Sequence, residues 1–289
     1  MKFFLNILDR LVLNKYFFWI FTTLLIISLL ISFSLKINLS NVLGIYSNNE
    51  YLLNYGIEAK NGGVVNDLRT HWEYIIALKE DLNNLFIYTL GDDTNLINYP
   101  LHNLIFSQLD FIKSLNNYLI TILVISLILP LIFYLSLKTR FKNLDKSVII
   151  ILSSIILIFP AFQYSAIWGN NHNTALIFFT LGIFYLNSFI KENFTNNKKL
   201  IISIIFFSLA CYTKQYYSFF FIFLLIYLVN KIALKKFIFV LLFCIFCAIP
   251  GIYYLILNPL LFFGMKQNIT NFNSAILISS SIIFVYLIP

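Results

Sequence analysis

The stretch VVNDLRTHWEYI, residues 64–75, gathers reactive side chains in a chain that has few of them. Asp67 and His71 are four residues apart, so on a helix they share a face. A carboxylate beside an imidazole at a membrane surface suits general-base chemistry on a hydroxyl. A plainer account also fits, in which an Asp favours a helix N-terminus and the His is simply solvated. Arg69, on the other side of the same turn, suits a phosphate or a lipid head group. Farther on, GDDTNLINYPLHNLIF, residues 91–106, carries Asp92 and Asp93, which read first as a turn. Tyr99 and His102 stand near the start of a helix, where an anion or a sugar hydroxyl can bind. His172 lies in IWGNNHNTA, and Lys214 and Gln215 interrupt an apolar run. A cation recessed in a membrane is costly enough to be a functional candidate, with snorkelling to the interface as the competing account. There is no phosphate-binding Gly loop, zinc-ligand spacing or serine nucleophile elbow, so no resident cofactor is expected, and the sequence does not decide whether a divalent ion takes part.

Composition says what solvent these groups live in. The chain is 60% hydrophobic and 11% charged, with 32 Phe and 18 Tyr, and its mean hydropathy is +0.85. Such a chain has too little polar surface to face water all round, and its natural solvent is lipid. The formal charge of +8 therefore points to membrane topology rather than to nucleic acid. Cys211, Cys244 and Cys247 all lie in apolar runs, which argues against a disulfide framework.

Apolar runs at 16–35, 118–137, 147–168, 174–190, 200–213, 216–230, 237–257 and 275–288 predict an all-α membrane protein, a bundle of about eight transmembrane helices. Residues 1–289 read as one membrane domain. Basic residues precede the first run and no small-residue cleavage site follows it, so it reads as an uncleaved anchor. The run 200–230 is either one over-long helix with a mid-membrane Lys or two helices turning at 211–215. The basic clusters at 191–199 and 231–236 both belong in the cytoplasm by the positive-inside rule, which selects the hairpin. The N-terminus and segments 138–146, 191–199 and 231–236 then hold 13 of the 20 Lys and Arg and only Asp9, Asp145 and Glu192 among the acids. The other nine acids fall in one external loop, residues 38–117, which is the expected active-site subdomain. All three histidines, with Lys214, fall on that external side. The last run ends at Pro289 with no flanking charge, so the protein is expected to continue beyond it.

Within the loop, residues 67–83 predict an amphipathic helix with Leu68, Trp72, Ile75, Ile76 and Lys79 on one stripe, Gly62-Gly63 before it and Asn66 as its cap. A second helix is predicted from Pro100, with Leu101, Ile105, Leu109 and Ile112 on its apolar side. Both are expected at the membrane surface.

Three segments carry a family resemblance. DLRTH, residues 67–71, is similar to an acidic motif followed by His. NYPLHNLIF, residues 98–106, looks like a Tyr/Thr-Pro-Pro segment that opens a loop helix. ACYTKQYY, residues 210–217, resembles a segment with Arg/Lys-Gln after a span. With the span pattern they resemble the GT-C superfamily of multi-span glycosyltransferases, and within it the dolichyl-phosphate-glucose glucosyltransferases and protein O-mannosyltransferases. The chain departs from that pattern in having Leu68 after Asp67, where relatives often carry a second acid, and one Pro at 100 rather than two. The resemblance implies sugar transfer from a polyprenyl-phosphate donor, the lipid-linked sugar being a co-substrate rather than a cofactor. The acceptor hydroxyl would belong to a glycan, lipid or protein. Asp67 would be the base, Lys214 and Gln215 would contact the donor phosphate, and Arg69, His71, Tyr99, His102 and His172 complete the expected substrate site. The expected setting is a bacterial inner membrane with the N-terminus cytoplasmic. Two other readings stay open: a polysaccharide polymerase or ligase of the same compartment, and a non-catalytic lipid or glycan transporter.

Overall fold

A computed structural model describes residues 19, 23, 26, 27, 30, 63–85, 100–159, 162, 165, 166 and 168–257, and among them every regular element is a helix, without a strand. The helices are α1 (Gly63–Glu80), α2 (Leu101–Ser107), α3 (Leu115–Arg140), α4 (Lys146–Ser154), α5 (His172–Lys191), α6 (Asn197–Thr213), α7 (Phe219–Val229) and α8 (Leu234–Leu257), with short 3₁₀ turns at Ile155–Ile158 and Gln215–Ser218.

Among the described residues three helices are long and apolar enough to cross a membrane: Leu115–Arg140, His172–Lys191 and Leu234–Tyr253. The expectation of about eight is met to that extent. The run expected to span at 275–288 lies outside the described residues, as does most of 16–35, where residues 19, 23, 26, 27 and 30 are helical. Two further apolar helices, Val148–Leu157 and Gln215–Val229, are shorter. At 1.5 Å per residue they fall well short of a hydrocarbon core of roughly 30 Å. The expected span 147–168 fails as a single helix for a local reason. Pro160 disfavours helical geometry in the residue before it, and Phe159 is extended at φ −66°, ψ 125°.

The long helices α3 and α5 run parallel. Asn173 Nδ2, at the start of α5, donates to Ser126 Oγ midway along α3 at 2.9 Å, and near the ends of both helices Asn187 Nδ2 reaches Ser136 Oγ at 3.4 Å. Helix α4 returns the chain between them. Helix α6 packs against α5 at close range because position 182 is glycine. Ser203 Oγ donates to the Gly182 carbonyl at 2.8 Å, and a Cβ on Gly182 would stand 2.5 Å from the Phe207 ring. In lipid, where apolar burial gives helices little reason to associate, small residues and interhelical hydrogen bonds of this kind supply the attraction.

The 200–230 run is a hairpin. Helix α6 ends at Thr213, Lys214 is extended at φ −143°, ψ 111°, and a 3₁₀ turn leads into α7. Phe207 meets Phe220 at 4.6 Å near the turn, and Phe194 meets Tyr227 at 6.4 Å near the open end. The ends of the bundle therefore differ in charge. One carries Lys138, Arg140, Lys142, Lys146, Lys191, Lys198, Lys199, Lys231, Lys235 and Lys236, against Asp145 and Glu192. The other carries α1, α2 and all three histidines.

Both loop helices pack into the core of the bundle, with more of their surface buried than a single apolar stripe predicts. Leu68, Trp72 and Ile75 pack with Phe106, Ile112, Tyr118 and Ile122. On a second face of α1, Tyr74 and Leu78 pack against Leu85 and Leu104. The predicted stripe found the first face and missed the second, because α1 is wedged between α3 and α2; Ile76, assigned to the stripe, is exposed. The helix also starts earlier than expected, at Gly63, so Asn66 lies inside it rather than capping it. Pro100 stands at the N-cap of α2, one position before the first helical residue. Lys79 Nζ donates to the carbonyls of Leu109 (3.1 Å) and Ile112 (2.7 Å), fastening the chain beyond α2 to α1.

Because the Phe207 ring is enclosed by Phe179, Phe220 and Phe221, it has little room to yield. Gly182→Ala is expected to destabilise the protein by about 1–3 kcal/mol through overpacking. Thermal unfolding in detergent measures this, and Phe207→Leu added to Gly182→Ala should restore much of the loss. An unchanged melting temperature for the single variant would refute the close approach of α5 and α6.

Candidate functional site

The site is assembled at the histidine end from four stretches of chain. Helix α1 supplies His71, α2 supplies His102 and Asn103, the turn before α5 supplies residues 169–174, and the α6–α7 turn supplies Lys214 to Tyr216. Asp67 and Arg69 are helical residues of α1, and their side chains lie outside those described. Asp67 sits one turn before His71, roughly 6 Å along the axis. Tyr99, Asp92 and Asp93 lie outside the described residues.

His71 is buried, and its Nδ1 pairs with Asn103 Oδ1 at 2.9 Å. With the amide oxygen accepting, Nδ1 carries the proton and Nε2 keeps its lone pair. Among the described residues nothing hydrogen-bonds to that Nε2. Its ring meets His102 edge-on, centroids 5.2 Å apart.

His102 is fully enclosed and both of its nitrogens are engaged. Nδ1 lies 3.0 Å from Thr174 Oγ1, and Nε2 lies 2.8 Å from the Tyr118 hydroxyl. The Tyr118 hydroxyl donates to the Gly169 carbonyl at 2.5 Å, so it accepts from His102 Nε2–H. Nδ1 is then left to accept from Thr174. The relay runs in one direction, from Thr174 through His102 and Tyr118 to Gly169, and it ties α2 to α3 and α5. Such a histidine is a packing residue in this arrangement, with no nitrogen left for the substrate contact expected of it. Gly169 is required at the end of the relay. Its φ is +68°, and a Cβ there would stand 2.8 Å from the Tyr118 ring.

The rest of the turn is a buried polar frame. Ser165 Oγ donates to Asn170 O and accepts from the Asn173 amide. Asn173 Nδ2 also donates to the Phe162 carbonyl at 3.0 Å. Asn171 Nδ2 reaches across to the Thr213 carbonyl at 3.3 Å, next to Lys214, while its Oδ1 has no hydrogen-bond partner among the described residues. His172 is half-buried, and its Nδ1 lies 3.2 Å from the Tyr216 hydroxyl, bridging the same two turns.

Lys214 is buried at the extended residue between α6 and the 3₁₀ turn, and Gln215 follows it, half-buried. The Lys214 ammonium acts electrostatically on His71, His102 and His172 alike. So the structure brings together the three histidines, Lys214 and Gln215, all singled out in the sequence. Asn103, Tyr118, Asn171, Asn173 and Thr174 are additions. The asparagines carried a weak signal, three in the five residues of GNNHN, hidden by the Asn-rich composition of the whole chain. Tyr118 and Thr174 carried none, since each looks like an ordinary residue at a helix start.

Burial lowers the His71 pKa from 6.5 to about 4, with the Lys214 charge acting in the same direction and the Asn103 hydrogen bond opposing. Burial, then His71 and Lys214, holds His102 well below the usual imidazole range. At neutral pH both imidazoles are uncharged, and the described groups present an ammonium beside neutral rings and amide donors. That combination suits an anionic oxygen with a polar neighbour.

Between the unfolded and folded pKa values of His71, the unfolded chain binds more protons than the native one. Stability contributed by the neutral ring is therefore full above pH 6.5 and lost as pH falls toward about 4. The expected loss is roughly 3 kcal/mol for this residue. Thermal unfolding in detergent at pH 7.5 and pH 5 should show a marked fall in melting temperature, and His71→Gln should make that fall smaller, the remainder belonging to the likewise buried His102. A fall of equal size in His71→Gln would assign the effect to other groups.

No protein-family model, curated protein or solved structure matches the chain.

Proposed function

We propose that the protein is a multi-pass membrane glycosyltransferase of the GT-C kind, moving a sugar from a polyprenyl-phosphate donor to a hydroxyl on the external face. The observation that carries this reading is the meeting of Lys214 with the three histidines at the end of the bundle where α1 bears Asp67. Polar groups are scarce in this chain, and four separated segments spend theirs on one site. The positive-inside rule makes the opposite, lysine-rich end cytoplasmic. Counting the three long helices, both helices of the α6–α7 hairpin, the broken apolar segment 147–168 and the apolar runs 16–35 and 275–288 makes about eight spans, with the N-terminus cytoplasmic and the site on the outer side of a bacterial inner membrane.

In this mechanism Asp67 takes the proton of the acceptor hydroxyl. The oxygen attacks the anomeric carbon as the bond from that carbon to the phosphate oxygen breaks, and the configuration inverts. Lys214 and Gln215 stabilise charge on the departing polyprenyl phosphate. Arg69, Tyr99 and His172 contact the donor or acceptor. His71 offers its Nε2 lone pair to a sugar or acceptor hydroxyl, one turn from Asp67. His102 holds α2 in register and does not touch substrate. Sugar, linkage and acceptor class, whether glycan, lipid or protein, are set by residues of the loop.

The test is sugar transfer in membranes containing the full chain, supplied with labelled polyprenyl-phosphate hexoses and pentoses. Asp67→Asn is expected to lower the rate by about 10²–10⁴-fold, the contribution of a general base. Lys214→Met is expected to lower it by about 10²–10³-fold, as for a lost charge-stabilising group. Equal donor consumption by wild type and Asp67→Asn would remove Asp67 as base. Loss on Lys214→Met alone would favour a polymerase or ligase that works through cations.

A further inference from the structure

The basic end of the bundle carries a concavity of its own, far from the histidines. A cleft of about 490 Å³ opens between the end of α3, the turn that follows it and the end of α5. Arg140, Lys142 and Lys191 line it together with Asn143, Asn187 and Phe141. The three cations are exposed, and among the described residues none of them is in a close ion pair; Glu192, the carboxylate beside Lys191, is bonded to Lys199 and acts on Lys191 only through space. A cation at the end of α3 and another at the end of α5 are accounted for by the helix dipoles. Their convergence with a third, from the turn, on one concavity concentrates positive charge where an anion would be held.

The wall of the cleft continues into an apolar track. Thr139 lines the cleft, and Leu135 lies one turn back on the same face of α3. Leu131, Ile128 and Val124 extend the same exposed stripe, about 16 Å in all from 124 to 135. A ligand that fits both parts has a phosphate for the cations and a hydrocarbon chain for the stripe.

We infer that this cleft binds the phosphate head group of an anionic glycerophospholipid from the leaflet at the basic end, with an acyl chain lying along α3. The site is separate from the histidine cluster and does not depend on the glycosyltransferase reading.

The test is native mass spectrometry of the full chain in detergent, titrated with phosphatidylglycerol or phosphatidylcholine. Two triple variants run beside the wild type. One combines Arg140→Gln, Lys142→Gln and Lys191→Gln. The other combines Lys198→Gln, Lys231→Gln and Lys235→Gln, removing equal charge from exposed positions on the same end. Wild type and the second triple should retain phosphatidylglycerol over phosphatidylcholine, and the cleft triple should bind it roughly tenfold or more weakly. Equal weakening in both triples, or no preference in the wild type, overturns the proposal. Displacement of the lipid by sn-glycerol 1-phosphate at matching concentration would assign the cleft to a free phosphate and overturn the lipid assignment. Should the cleft triple not fold, Lys142→Gln alone, in the exposed turn, makes the same comparison with a smaller expected shift, and no shift overturns the proposal.

Discussion

Everything at the histidine end hangs on the placement of one imidazole. His102 comes from a seven-residue helix too short to hold itself in place. What holds it is a pair of hydrogen bonds, one to α5 through Thr174 and one to α3 through Tyr118. Tyr118 in turn needs the Gly169 carbonyl, and Gly169 needs a left-handed backbone and no side chain. Removing any partner leaves a buried polar atom unsatisfied, which costs more than the bond itself contributes. The local geometry of the loop, the parallel pair of long helices and the site are therefore one construction.

That dependence explains what could be read in advance. The histidines and Lys214 were legible because they are rare, and because positive-inside logic sent them to the same side. The hairpin at 211–215 was legible because Lys214 in mid-bilayer is expensive and the flanking lysines agree. The break at Phe159 within 147–168 was not read because hydropathy is blind to what Pro160 does to the residue before it. The two-sided burial of α1 was missed because one periodic stripe was enough to explain its sequence, and its second face depends on a partner, α2, that is distant in the chain. The hydrogen-bond relay was illegible in principle. Thr174 and Tyr118 acquire their roles only when two helices stand side by side.

Burial also separates roles among residues that looked alike. His71 and His102 sit edge to edge, yet only one keeps a lone pair open. The two histidines thus divide into two kinds, one with a nitrogen left for a ligand and one whose two bonds set the position of its neighbour.

The hairpin of α6 and α7 has a consequence for how the protein reaches its membrane. Helix α6 has 17 residues and α7 only 11, so α7 is too short to cross a bilayer unaided. A continuous helix would strand Lys214 in hydrocarbon, whereas the paired helices, with Phe207 against Phe220 and Phe221, hold it at the tip of the hairpin. Insertion as a pair would therefore need less desolvation of that charge than insertion of one unbroken helix.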